Sequence, residues 1–411
     1  MSKRIFVIVG ASLAGAKAAE ELREQGFDGR IVLVGAESER PYERPPLSKD
    51  HLRGESEREK TFVHPEGFYE QQEIELVTGV QATAIDVALN TVTLDDGRAL
   101  GFDKLLLTTG AEPRRLSVPG SELEGIYYLR TLADCELLRQ QLDRGGRVAV
   151  VGAGWIGSEV AASARQKGLD VTLIDPLVLP NERIFGPEIG SFYRDVHARH
   201  GVQLVLGEGV AALLGDDHVT AVRTNRGTTI ECDFVVVVIG VMPRVRLAGD
   251  AGLELDNGIV VDEKLQTSAP DVFAAGDVAD AWHPFYQRRI RVEHWANALN
   301  QGPAAARAML DDAVSYDRIP YFFSDQYEIG MEYSGFVTEW DQVVFRGDRD
   351  AGEFIAFWLK DRRVLAGMNV NVWDVNQHVQ ALIRSHEPVD VAALRDRDTP
   401  LDALVDRVRA L

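Results

Sequence analysis

Gly10-Ala11-Ser12-Leu13-Ala14-Gly15 and Gly152-Ala153-Gly154-Trp155-Ile156-Gly157 decide how this sequence folds. Each follows a short β-branched strand and opens an alanine-rich helix. A turn of this kind brings bare backbone against a diphosphate, whose charge then rests on the unpaired N–H groups of the helix N-terminus. Two turns imply two dinucleotides, and one cofactor per turn suggests FAD beside NAD(P)H. The second turn is a complete G-x-G-x-x-G. In the first, Ser12 replaces the middle glycine, so its Cβ must point away from the phosphate while its hydroxyl is placed to contact it.

The flanking sequence repeats the same plan. After the first turn come a helix, the strand Arg30–Val34 and the acidic Glu37; after the second, a helix, a strand over 171–174 and Asp175. An acidic side chain about 20 residues beyond the last glycine accepts hydrogen bonds from ribose hydroxyls. Asp175 would also repel a 2′-phosphate and no arginine immediately follows it, which favours NADH over NADPH. Arg183 stands further on, either against the NADH diphosphate or ribose or in a solvent salt bridge. Each unit closes with a turn and an apolar strand: Asp96-Gly97 and 104–108 ending at Gly110, then Arg226-Gly227 and 234–239 ending at Gly240. Nearly unbroken apolar runs suit parallel strands covered on both faces.

Proline, arginine and glycine cluster at 113–119 and again at Pro243-Arg244, marking a crossing into a second domain and a return. The stretch 272–277 reads as a buried strand ending at Asp277. After Pro320 short alternating segments, with a charged turn at Asp361-Arg362-Arg363, predict an antiparallel domain. The expected fold is α/β: two Rossmann-like dinucleotide-binding domains, the first discontinuous (1–112 and 245–320), the second at 113–244, and a C-terminal α+β domain at 321–411. The last segment, 391–411, reads as one amphipathic surface helix.

Composition excludes several classes. The 411 residues carry a formal charge of −20, which opposes a nucleic-acid or anionic-membrane role, and no apolar run approaches a membrane span. Lys3-Arg4 and the apolar stretch behind them imitate a signal peptide, but that stretch is the first strand and glycine turn, so a cytoplasmic protein is expected. Cys135 and Cys232 are the only two cysteines, in no C-x-x-C or histidine-linked spacing; neither a redox relay nor a metal site is expected.

The order of motifs resembles the FAD- and NADH-dependent ferredoxin reductases that serve cytochrome P450 or aromatic-ring oxygenase systems, the putidaredoxin and rubredoxin reductase family. The marks are Pro41-Tyr-Glu-Arg44-Pro-Pro-Leu-Ser-Lys49, Tyr128-Leu-Arg130-Thr131, Val272-Phe-Ala-Ala-Gly276-Asp277, Glu293-His294-Trp295-Ala-Asn297-Ala and Ser324-Asp-Gln-Tyr327. The resemblance implies a glutathione-reductase-like arrangement with Gly10, Ser12, Ala14, Gly15, Glu37, Arg44, Ala82, Arg130, Asp277 and Trp295 toward FAD. Toward NADH it implies Gly152, Gly154, Ile156, Gly157, Glu159, Asp175, Arg183 and Gly240. Lys49 would place its ammonium by flavin N5, where a cation stabilises the anionic reduced ring, and Glu159 would orient Lys49. For Glu159 the alternative is a carboxylate favoured by the helix dipole in the first turn.

The disulfide-, peroxide- and oxygen-reducing relatives of such flavoproteins keep a redox cysteine beside the flavin. The corresponding stretch 40–50 has none, so electrons are expected to leave for an external [2Fe–2S] ferredoxin and, through it, an oxygenase. Ferredoxins of this kind are commonly acidic, and Arg288, Arg289 and Arg291, with Arg362 and Arg363, are candidates for a local basic patch. Quinone, rubredoxin or oxygen reduction, or an apoptosis-inducing-factor-like NADH sensor, are the alternatives. A monomer or a homodimer is expected.

Overall fold

The computed structural model describes residues 4–409. Lys3 of the basic N-terminal pair and the last two residues of the expected C-terminal helix lie outside the described residues. The chain divides into two compact units: residues 1–44, 57–112 and 241–318, and residues 45–56, 113–240 and 319–411.

The first unit is built on a five-stranded sheet in the order Val272–Ala274, Lys104–Leu107, Ile5–Val9, Arg30–Val34, Ile74–Val77. All four pairings are parallel, with Val7 opposite Val32 on one side and Leu105 on the other. Phe6, Val7, Ile8, Leu105 and Leu106 are fully buried, which explains their unbroken apolar pattern. The helix Leu13–Glu24 buries Ala14, Ala16, Ala18 and Ala19. It lies so close to the helix Trp295–Met309 that a Cβ on Gly302 would stand 2.3 Å from the Ala14 carbonyl oxygen. Small residues on these two helices are thus a steric requirement.

The second unit repeats the architecture with strands Gln203–Leu206, Asp170–Asp175, Arg147–Val151, Phe234–Val237 and Ile126–Tyr128, again all parallel. It also contains a five-stranded antiparallel sheet, ordered Tyr321–Gln326, Ile329–Gly335, Arg363–Val370, Glu353–Lys360, Gln342–Asp348. Lys360 pairs with Arg363 across a two-residue turn whose residues, Asp361 and Arg362, take φ of 50° and 63°. Two left-handed residues match the twist of a hairpin, so the charged turn is of the primed type. Trp358 is fully buried on this sheet and donates from Nε1 to the Phe185 carbonyl at 3.1 Å, tying the sheet to the helical segment Glu182–Arg199.

Two expectations change. The segment 45–56, placed with the first domain by its position in the chain, belongs to the second unit. Its Cys135, Glu159 and Ser163 contacts hold it there: Leu47 and Ser48 offer carbonyls to Cys135 Sγ and Ser163 Oγ, and the Ser48 hydroxyl bonds Glu159. The final segment is not one helix but two, Val391–Arg395 and Leu401–Arg409. Pro400 cannot donate to a continuing helix, and Arg346 fixes the break by donating to the carbonyls of Asp396, Arg397 and Thr399.

Candidate dinucleotide and redox site

In the first glycine turn Gly10 takes φ of 122°, and a Cβ there would meet the Thr108 carbonyl oxygen at 2.1 Å. A Cβ on Gly15 would stand 2.1 Å from the Gly10 oxygen. The turn is drawn tight against the neighbouring strand, and Thr108 Oγ1 bonds the Gly10 carbonyl at 2.8 Å. Ser12 occupies the helix N-cap with extended backbone, yet its side chain makes no capping bond. Its hydroxyl is thus not spent on the helix it precedes, and the terminal N–H groups keep their capacity for an anion.

Around this turn Glu37 accepts from the Tyr42 hydroxyl and pairs with Arg44 at 3.4 Å, while Arg44 also donates to Tyr42 Oη at 3.2 Å. Asp277 sits in the short turn Gly276–Val278, directly past the strand Val272–Ala274, and its charge acts on both Arg44 and His294. Trp295 begins the helix Trp295–Met309; burial holds the Glu43 carboxyl above its usual range, and Trp295 acts to lower it. Ala82 is buried at the start of the strand Ala82–Asp86. Burial pushes His294 down to about 4. The structure thus brings Glu37, Arg44 and Asp277 into one electrostatic group in the first unit. Arg130, by contrast, belongs to the second unit, immediately before the capping box formed by Thr131 and Asp134.

The second turn is tighter still. A Cβ on Gly152 would fall 2.2 Å from the Val238 oxygen, and one on Gly157 would fall 1.8 Å from the Gly152 oxygen. At Gly154, the helix N-cap, a Cβ would meet nothing within 4 Å. Two glycines are therefore required by the protein itself, whereas the third leaves open space beside bare backbone, the shape that admits a diphosphate. Ile156 is 38% exposed on the first turn of this helix.

Asp175 spends both oxygens on the backbone: Oδ2 accepts from Ala153 N at 2.6 Å and Oδ1 from Leu177 N at 2.8 Å. It thus shapes the glycine turn, a role the spacing to the ribose did not reveal, and each oxygen retains a lone pair for a hydroxyl. Arg183 is exposed in the first turn of the helical segment Glu182–Arg199, and Gly240 is exposed with φ of 96°.

The chemically distinctive group lies in the second unit. Lys49 Nζ stands 3.0 Å from Glu159 Oε1, with side-chain exposures of 11% and 5%. Glu159 also accepts from Ser324 Oγ at 2.6 Å and from Ser48 Oγ. Lys49 donates further to the Pro45 carbonyl at 3.2 Å and stands 5.3 Å from the centre of the Phe323 ring. The helix begins at Trp155, which puts Glu159 in its second turn, so the first-turn dipole does not account for the carboxylate. A buried charge persists when it is paired and its remaining lone pairs are filled, and three protein donors do that for Glu159.

Behind Glu159 the polar contacts continue. Gln326 Nε2 donates to Ser324 Oγ at 3.3 Å, His197 Nε2 meets Gln326 Oε1 at 3.0 Å, and Tyr327 Oη meets His197 Nδ1 at 3.3 Å. Ser324, Gln326 and Tyr327 were visible as a motif. His197, on a helix far away in sequence, carried no such signal. Burial pushes His197 down to about 4, whereas an unfolded histidine titrates near 6.5. Between those values the unfolded chain binds the extra proton, so this contribution to stability is complete above pH ~6.5 and is lost as pH falls toward 4, by roughly 3 kcal/mol. Urea unfolding of wild type and His197→Gln at pH 7 and pH 4.5 checks it: the wild type loses more stability on acidification, and parallel losses refute the assignment.

Both cysteines are free and buried, and burial pushes each thiol up to about 12. Thiols so far from ionisation are poor nucleophiles. The double substitution Cys135→Ala, Cys232→Ala is expected to leave NADH-driven flavin reduction unchanged in stopped-flow absorbance; a lost reduction phase would restore a redox role to one of them. The arginine patch is partly corrected. Arg291 is 9% exposed, paired with Glu293 and donating to the Asp277 carbonyl. Arg289 donates to the Val261 carbonyl, Arg362 to that of Val389 and Arg363 to that of His386. These guanidinium groups are anchored to backbone, though Arg288, Arg289, Arg362 and Arg363 remain exposed. Among the described residues no group of three or more histidine, cysteine, aspartate or glutamate side chains is placed to hold a metal. None of the described helices is long and apolar enough to cross a membrane.

Two parallel sheets carrying glycine turns define a dinucleotide-binding oxidoreductase fold, and the chain belongs to the pyridine nucleotide-disulphide oxidoreductase family, whose pattern matches residues 5–302. Residues 321–405 match the reductase C-terminal domain. The chain is 38% identical to putidaredoxin reductase of Pseudomonas putida over 98% of its own length and 97% of that protein's. It is 40% identical to the ferredoxin–NAD(+) reductase component of the anthranilate 1,2-dioxygenase system of Burkholderia cepacia, covering 90% of this chain and 92% of that one. The crystal structure of the covalent putidaredoxin reductase–putidaredoxin complex superposes with a TM-score of 0.95 at 38% identity, each chain covered over 100% of its length.

Proposed function

We propose that this protein is an NADH-dependent ferredoxin reductase that feeds a [2Fe–2S] ferredoxin of a cytochrome P450 or ring-hydroxylating oxygenase system. The reaction is NADH plus two oxidised ferredoxins giving NAD+, a proton and two reduced ferredoxins. FAD, when bound, supplies the conversion of one two-electron donation into two one-electron steps. The observation that carries the reading is the buried Lys49–Glu159 pair in a chain whose only thiols are buried and unreactive. Such a site holds a fixed positive charge but offers no sulfur to receive electrons, so they must leave the protein.

The residues divide the work. Gly10, Ser12, Ala14 and Gly15 form the FAD turn, with Glu37, Arg44, Ala82, Arg130, Asp277 and Trp295 assigned to the same cofactor. Gly152, Gly154, Ile156 and Gly157 form the NADH turn, with Asp175, Arg183 and Gly240 beside it. Lys49 would stand toward the redox ring of bound FAD, and Glu159 holds its ammonium in place through the 3.0 Å contact. An oriented ammonium stabilises negative charge that develops on reduction, and fixed charges in a dry site do so with little reorganisation. Domain limits of 1–44 and 57–112 with 245–320, 113–244 together with 45–56, and 321–411 are proposed as the functional division. Two buried thiols without a disulfide suit the reducing cytoplasm, the proposed location.

Anaerobic stopped-flow absorbance provides the test. NADH is expected to bleach the yellow holoprotein, and mixing with oxidised [2Fe–2S] ferredoxins is expected to return the flavin colour as the ferredoxin spectrum bleaches. Bleaching with no transfer to any ferredoxin, but rapid transfer to a quinone, would reassign the acceptor.

A further inference from the structure

His197 has no part in either glycine turn and touches neither Lys49 nor Glu159, yet a continuous line of hydrogen bonds leads from it to Glu159. Each link constrains the next. The Gln326 amide oxygen only accepts, so His197 Nε2 donates to it at 3.0 Å, which leaves Nδ1 of the neutral ring to accept from the protonated Tyr327 hydroxyl at 3.3 Å. With its oxygen committed, the Gln326 amide turns Nε2 toward Ser324 Oγ at 3.3 Å. The Ser324 hydroxyl has one proton to give, and it goes to Glu159 Oε1 at 2.6 Å.

The opposite polarity is chemically possible for the same atoms. With the proton on Nδ1, His197 would accept from the Gln326 amide, the amide oxygen would face Ser324, and the serine proton would be drawn away from Glu159. Glu159 would then lose one of its three donors. His197, Gln326 and Ser324 are exposed by 0%, 1% and 2%, so water does not compete for any of these bonds. Among titratable neighbours, His200 caps the same helix and stacks on Tyr327 at 3.7 Å, Glu328 pairs with His200, and Arg165 acts on Tyr327.

We propose that His197 is a positioning residue for flavin reduction: with Tyr327 it sets the direction of a buried hydrogen-bond chain through Gln326 and Ser324 that terminates on Glu159 and so fixes the Lys49–Glu159 pair. The functional consequence rests on the reading of that pair given under Proposed function; the direction of the chain does not. If the Ser324 bond is lost, more of the negative charge on Glu159 remains uncompensated beside Lys49. The local field then favours the reduced, anionic flavin less.

The test uses the full-length holoprotein. In 15N-histidine NMR at neutral pH, His197 is expected to carry its proton on Nε2, and Tyr327→Phe is expected to introduce the Nδ1-protonated form. His197→Leu is expected to shift the flavin midpoint potential to a more negative value and to slow NADH-driven bleaching about tenfold, the worth of one hydrogen bond to a charged group. His197→Gln, which restores an N–H donor for Gln326, is expected to recover both. A proton on Nδ1 in the wild type overturns the proposal. So does an unchanged potential in His197→Leu, or equal shifts in the Leu and Gln variants at matched thermal stability, which reduce His197 to packing. Failure of the functional reading is distinguishable, because NADH would then fail to bleach the wild type while the tautomer measurement stands.

Discussion

Gly157→Ala will severely weaken NADH-driven reduction while the protein stays yellow. The substituted Cβ would lie 1.8 Å from the Gly152 carbonyl oxygen and 3.0 Å from its carbon, both backbone atoms, so no side-chain rotation relieves the clash. Gly152 cannot move away either, because it is pinned against the Val238 carbonyl with φ of 107°. The turn must open, and with it the N-terminus of the helix Trp155–Gln166 that the diphosphate needs. We expect the apparent KM for NADH to rise by at least about a hundredfold, equivalent to roughly 3 kcal/mol of lost binding. FAD remains bound because its turn lies in the other unit. Gly154→Ala separates the two demands on glycine. Its Cβ would meet nothing within 4 Å and its φ of −75° suits alanine. Unchanged melting with a KM raised about tenfold is expected, since a methyl group there obstructs only a ligand. If Gly157→Ala reduces its flavin at the wild-type rate and KM, the second turn is not the NADH site.

Glu159→Leu should be the most damaging single change at the buried pair. It leaves the Lys49 ammonium with the Pro45 carbonyl, the Phe323 ring face and the more distant Asp325 carboxylate, and the Ser48 and Ser324 hydroxyls with no acceptor at that position. Removing one member of a buried, hydrogen-bonded ion pair typically costs about 3–5 kcal/mol. Lys49→Met costs less, because Glu159 keeps two hydroxyl donors. The double variant Lys49→Met, Glu159→Leu is expected to regain most of the lost stability, since no buried charge remains, but none of the flavin-reduction rate. Urea denaturation and stopped-flow bleaching on the three variants decide it. A double variant that regains rate along with stability would show that the pair serves the fold alone.

The sequence exposes those features that depend on local periodicity or on backbone contact. Parallel strands such as Ile5–Val9 and Phe234–Val237 are legible because both faces are covered, which leaves continuous apolar runs. The glycine turns are legible because Gly10, Gly152 and Gly157 each lack the room for a side chain. The pairing of Lys49 with Glu159 came from resemblance; spacing alone left the helix dipole as an equal explanation, and only burial in the helix's second turn separates the two. What was not legible is long-range and polar. His197 joins Gln326 across a separation of 129 residues, and no periodic pattern announces a contact of that kind. The spacing of Asp175 from Gly157 is visible in the sequence, whereas its bonds to Ala153 and Leu177 depend on how the strand end meets the turn. The C-terminal amphipathic pattern spanned Pro400 because helical periodicity can continue across a break of a few residues.

Residues 45–56 lie early in the chain but form part of the later unit. Cloning boundaries drawn from sequence order would therefore cut through a cooperative structure: a fragment beginning at Pro113 carries Glu159, Ser163 and Cys135 without Lys49, Ser48 and Leu47, their partners in the intact chain. Evolution by swapping whole coding blocks faces the same obstacle. A swap of the second unit between relatives is expected to need residues 45–56 as well.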